Sequence, residues 1–167
     1  MGERPSGRDE TEAERLDRNL GELLQELRVA LPGVQVLFAF LLAVPFQQGF
    51  TDITSFQKDV YFATLLLTAI SAALLISPSA YHRLTFRMQQ KDHLLVLANR
   101  FAIAGLAALA LAMSLAVILV TDVLFSTEAT VITGASAIAM FAFFWFALPL
   151  KRRISSDEEP DPPTRSS

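Results

Sequence analysis

Leu16, Leu20, Leu23, Leu24, Leu27 and Leu31 recur at steps of three and four along the first part of the chain. That spacing lays one apolar stripe on a helix whose other face carries Asp17, Arg18, Glu22, Gln25 and Glu26. From Val34 onward no charged side chain occurs before Asp52. The pattern predicts an amphipathic, interfacial helix over residues 12–31 that leads into a first membrane span at about 33–50. Pro32 removes a backbone donor and disfavours helical geometry at Leu31, so a kink is predicted where the helix turns from the membrane surface into the bilayer. This first span falls short of the roughly 20 residues that a 30 Å hydrocarbon core requires, and the residues just before Pro32 are expected to contribute.

The same apolar pattern returns three times. A polar loop over 51–59 offers Thr54 or Ser55 as an N-cap, and the second span follows at 60–77, stopping at Pro78. The third span, 94–121, would reach roughly 42 Å at 1.5 Å per residue. Its first turns are therefore expected among the headgroups, with Arg100 snorkelling outward. A tight turn at 122–127 leads to the fourth span, 127–150, which is closed by Pro149 and the basic run Lys151, Arg152 and Arg153. Residues 1–11 and the acidic, proline-rich tail 154–167 have too little apolar surface to offset the entropy of ordering and are expected to be disordered. The predicted fold is all-α: a four-helix transmembrane bundle within a membrane domain, 32–153, preceded by a cytoplasmic or interfacial amphipathic helix.

Composition adds less than distribution. At 52% hydrophobic residues the chain is only slightly above an ordinary soluble domain, at roughly 45 to 50%, so the segregation of apolar residues into four runs decides the class. With four spans, both tails and the middle loop lie on one side. That side holds all of the 14 Lys and Arg residues except Lys58. The positive-inside rule then places both termini in the cytoplasm of a multi-pass protein of the cell's inner membrane. Acidic residues do not alter this reading, because the rule counts cations only. Trp145 and Tyr81 stand near the inner ends of their spans, where an aromatic belt forms.

Several function classes are set aside. There is no cysteine, hence no disulfide framework, thiolate metal site or cysteine nucleophile, and two histidines make no zinc cluster. A net charge of −3 argues against nucleic acid as a partner. The first apolar run begins far from the N-terminus and has no small-residue cleavage site behind it, so it is expected to act as an uncleaved anchor. Phosphate-binding loops, nucleophile elbows, zinc-protease motifs and dinucleotide fingerprints are missing from the sequence. No catalytic centre, cofactor or metal is expected.

Three groups of residues stand out against that background. Ala104, Ala108, Ala112 and Ala116, with Gly105 beside them, form a line of small residues on the third helix. Such a line lets helices approach closely, either within one bundle or between copies. Intramembrane ionisable groups usually mark an ion or proton path, and here Asp122 and the polar Gln35 are the candidates. His82, Arg83, Arg87 and Lys91 make a basic patch that could hold anionic headgroups or pair with Glu22 and Glu26, or could serve topology alone. His93 beside Asp92 reads as a helix-start neighbour rather than a catalytic dyad.

Arg15 to Leu20, Glu22 to Ala30, Gly33-Val34-Gln35 and Phe38, followed later by Pro78, His82-Arg83 and Phe86-Arg87, resemble the signature of a family of uncharacterised four-span actinobacterial membrane proteins. The resemblance covers the chain from Arg15 to Lys151 and departs at Leu31-Pro32, where more polar residues are expected. It implies the four-span fold; some members carry a sodium:proton antiporter label. Two functional readings follow: a non-enzymatic membrane protein with a structural, assembly or interaction role, or a small oligomeric cation/proton transporter. The expected partners are the lipid bilayer and either further copies of the chain or another membrane protein.

Overall fold

A computed structural model describes residues 12–85 and 91–148. Four helices follow one another: α1 (Glu12–Ala43), α2 (Ser55–Thr85), α3 (Lys91–Leu124) and α4 (Thr127–Ala142). Two 3-10 turns, Val44–Phe46 and Phe50–Asp52, join α1 to α2, and a π turn, Phe143–Ala147, continues α4. Among the described residues there is no strand. Four segments are long and apolar enough to cross a membrane: Gly21–Phe46, Ser55–Ala80, Val96–Leu124 and Thr127–Ala147. Their outward faces carry Val29, Phe40, Phe62, Ile132 and Phe144, all more than half exposed. Apolar surface on that scale, on helices that satisfy their own backbone groups, belongs to a protein whose solvent is lipid.

α1 corrects the first expectation. No separate surface helix over 12–31 and no break before a span at 33–50 occurs; one helix of 32 residues runs through Pro32. At 1.5 Å per residue it is about 48 Å along its axis, so the amphipathic part and the span belong to one continuous helix. The cause lies in the leucine stripe itself, which continues in phase beyond the proline: Leu23, Leu27, Leu31, Val34 and Leu37 all pack into the same core. Proline forfeits one hydrogen bond, to the Arg28 carbonyl, and the packing on either side of it holds the helix. Pro78 behaves likewise. It lies inside α2 and is buried, so the second helix does not stop there. α2 also begins at Ser55 rather than at residue 60 and runs on to Thr85, and α3, Lys91–Leu124, extends past its predicted span of 94–121 at both ends.

α2 and α3 form the central hairpin, α1 lies against both, and α4 packs on α3 alone among the described residues. The buried positions of α2 follow a strict four-three alternation: Gln57, Tyr61, Thr64, Thr68, Ser71, Leu75 and Pro78. Ala98, Ala102, Gly105, Leu109 and Ala112 repeat that alternation on α3, as in the seam of a left-handed coil. Two glycines set the closest approaches. A Cβ on Gly105 would lie 2.8 Å from Leu75 Cδ2, and one on Gly134 would lie 2.6 Å from Ile118 Cγ1, so α3 meets α2 and α4 at distances only glycine permits.

Candidate functional site

A cluster of polar side chains lies at one end of the bundle, where α2 begins and α3 finishes. Thr54 and Gln57 form a reciprocal cap: the Gln57 N–H donates to Thr54 Oγ1 at 3.2 Å, and the Thr54 N–H donates to Gln57 Oε1 at 3.0 Å. Threonine followed three residues later by glutamine satisfies two orphan donors of a helix start in this way. The other end of the Gln57 amide is then free to reach across the hairpin, and its Nε2 donates to Asp122 Oδ2 at 2.9 Å. Gln57 is buried and Asp122 half-buried. One side chain thus starts α2 and fixes the last turn of α3.

One turn further in, Tyr61 attaches the end of α1. Its hydroxyl donates to the Leu41 carbonyl at 2.9 Å, and its ring meets Phe50 edge-on with centroids 5.1 Å apart. The acceptor is there because of the sequence. In a helix the Leu41 carbonyl would bond to the N–H of residue 45, and that residue is Pro45, which has none. Tyr61 supplies the missing donor.

Below these two contacts the α2 seam is lined by hydroxyls. Thr64 donates to the Val60 carbonyl at 2.7 Å and Thr68 to the Thr64 carbonyl at 2.8 Å, each four residues back on its own helix. Ser71 crosses instead to the Gly105 carbonyl at 2.8 Å. On α3, Ser114 and Thr121 bond back to Ala110 and Val117. Among the described residues, no buried side-chain nitrogen or oxygen lacks a partner, and no group of three His, Asp or Glu could hold a metal.

The residues singled out from the sequence are not all brought together. Asp122 faces the interior, whereas Gln35 lies exposed on α1 and has no hydrogen-bond partner, so the two do not share a site. Of the small residues on α3, Gly105, Ala108 and Ala112 are buried within the chain and Ala116 is half-buried, but Ala104 is exposed. The seam follows the four-three alternation, which leaves the strict step of four after two turns. Glu22 and Glu26 are exposed, and Glu22 is paired with Arg18 at 3.1 Å, four residues back on α1. The side chains of His82, Arg83, Arg87 and Lys91 lie outside the described residues. Sequence reasoning missed Gln57 and Tyr61. The threonine-to-glutamine spacing marked the first, and Pro45 marked a carbonyl in need of the second.

Fold and site together define a four-helix membrane protein in which Gln57, Tyr61 and Ser71 tie helices to one another. The chain belongs to the family of unknown function DUF6328, which it matches over residues 9–149. No curated protein and no solved structure matches it.

Proposed function

We propose that the protein is a non-enzymatic component of the cell's inner membrane, with both termini cytoplasmic and a structural, assembly or interaction role. The observation that carries this reading is the commitment of the buried polar side chains to the fold. Gln57 binds both Thr54 and Asp122, Tyr61 binds Leu41, and Ser71 binds Gly105, so each ties one segment to another. A solute pathway needs polar groups that exchange partners with the solute, and these are engaged with the protein itself. Purified protein in liposomes under a sodium or pH gradient is expected to leave the gradient intact.

Asp122 favours a second reading, a small cation/proton transporter of the antiporter kind. It is a half-buried carboxylate at one mouth of the α2–α3 seam, with Thr64, Thr68 and Ser71 arrayed inward of its partner Gln57. Cation and proton exchange requires such a carboxylate. The two readings part on one substitution. Asp122→Asn keeps an oxygen acceptor for Gln57 and removes the titrating group, so gradient-driven flux that is present in the wild type and at least tenfold weaker in the variant would establish transport and displace the structural role.

A further inference from the structure

Among the described residues, one polar side chain that the fold leaves without a partner inside a membrane-length segment is Gln35. It lies in α1, six residues beyond Val29 and eleven before Phe46, within a run that holds no charge. At 1.5 Å per residue that is about 9 Å from one end and 16 Å from the other, near the middle of a core roughly 30 Å thick. The side chain is too short to reach either headgroup layer. It is exposed, and its amide has no hydrogen-bond partner. Hydrocarbon supplies neither donor nor acceptor, so an amide there favours contact with another helix.

We infer that Gln35 marks a helix–helix interface through which α1 of one copy pairs with α1 of a second copy of this chain. Two general principles and one observation point to a second copy as the partner. All copies of one chain insert with the same orientation, so Gln35 of each arrives at the same depth and the two meet across a twofold axis along the membrane normal. A primary amide carries both donors and an acceptor, which lets it pair with itself where a lone hydroxyl or carboxylate would not satisfy both sides. The residues one turn away on the same face, Pro32 and Ala39, are exposed and small, and so admit close approach of two backbones. Arg28, two turns toward the cytoplasmic end on that face, is near enough to the headgroups to snorkel.

The placement also moves the self-association surface. The line of small residues on α3 is consumed inside the chain at Gly105, Ala108 and Ala112. In α1, by contrast, 11% of the most apolar stretch is buried, against 33% in α2 and in α3. The helix whose membrane segment is least covered also carries the unpartnered Gln35 amide. This inference rests on α1 spanning the bilayer, as the proposed function does, but not on the structural role.

The chain has no cysteine, which makes the test direct. In the full chain, in native-like membranes, Ala39→Cys is placed on the Gln35 face and Val131→Cys on the exposed face of α4. Oxidative cross-linking is expected to give a disulfide dimer from Ala39→Cys and little from Val131→Cys. Adding Gln35→Leu to Ala39→Cys is expected to weaken dimerisation about 3- to 30-fold, the range that interhelical amide bonds contribute in membranes, and Gln35→Asn to retain it. Leucine is at home in lipid, so loss of the dimer without loss of carbonate-resistant membrane integration reports the interface. An integrated chain in which Ala39→Cys cross-links no better than Val131→Cys, in which Gln35→Leu dimerises like the wild type, or in which the cross-linked species has the mass of a different protein, overturns the inference and leaves the membrane reading intact. A chain that carbonate extracts overturns both.

Discussion

Gly105→Val is expected to destabilise the α2–α3 hairpin by roughly 3 kcal/mol, at the upper part of the range for overpacked interiors. The reason is that nothing near the new side chain can move at small cost. The Leu75 Cγ and Cδ2 atoms would lie 2.8 Å from a Cβ on residue 105, and the Leu74 Cβ 3.3 Å. Leu75 is fully buried in the seam. Relief therefore requires α2 to retreat from α3, which also stretches the bond from Ser71 Oγ to the Gly105 carbonyl. The midpoint of unfolding, followed as SDS is titrated into protein held in mild detergent, should fall sharply. Ala104→Val, on the exposed neighbour, should leave it near the wild-type value. Equal midpoints for Gly105→Val and the wild type would mean that the helices do not approach as closely as described.

The second large effect belongs to Tyr61→Phe, expected to cost about 1 to 3 kcal/mol. That is the penalty for leaving a buried carbonyl unpaired. The ring and its edge-on contact with Phe50 remain in this variant, so the loss isolates the hydroxyl. A companion substitution makes the argument sharper. Pro45→Ala restores an N–H four residues after Leu41, the partner a helical carbonyl ordinarily has. It should recover part of the lost stability in the Tyr61→Phe background while adding little in the wild type. Additive effects of the two substitutions would indicate that Tyr61 and Pro45 do not act on a shared acceptor.

How much of this could be read from the chain differs by element. The four apolar runs, the start of α4 at Thr127 and a cap at Thr54 or Ser55 followed from periodicity and capping chemistry, and the structure selects Thr54. The division of α1 into two helices at Pro32 is not found, because the expectation weighed the proline alone. Its lost bond is a local cost, while the leucines at 23, 27 and 31 and the valine at 34 keep one phase across it, and the core they enter outweighs a single bond. The same reasoning applies at Pro78, whose ring is buried against the bundle. Gln57 was hidden for a different reason: Lys58 and Asp59 beside it gave the segment the look of a loop. Its role depends on the register between α2 and α3, which sets what faces it 65 positions later. Tyr61 posed the same difficulty, since its acceptor belongs to α1. Asp122 was identified as the acid to watch, and the structure adds the amide that holds it.

The claim on which the rest depends is that four helices cross a bilayer, with both chain ends on one face and the two short connections on the other. It is tested most directly by a membrane-impermeant maleimide on intact cells, applied to single cysteines in this cysteine-free chain. Thr51→Cys and Ser126→Cys are expected to be labelled from outside, and Thr164→Cys only after the membrane is permeabilised. Labelling of Thr164→Cys in intact cells to the same extent as Thr51→Cys, or recovery of the chain in the soluble fraction, would contradict it.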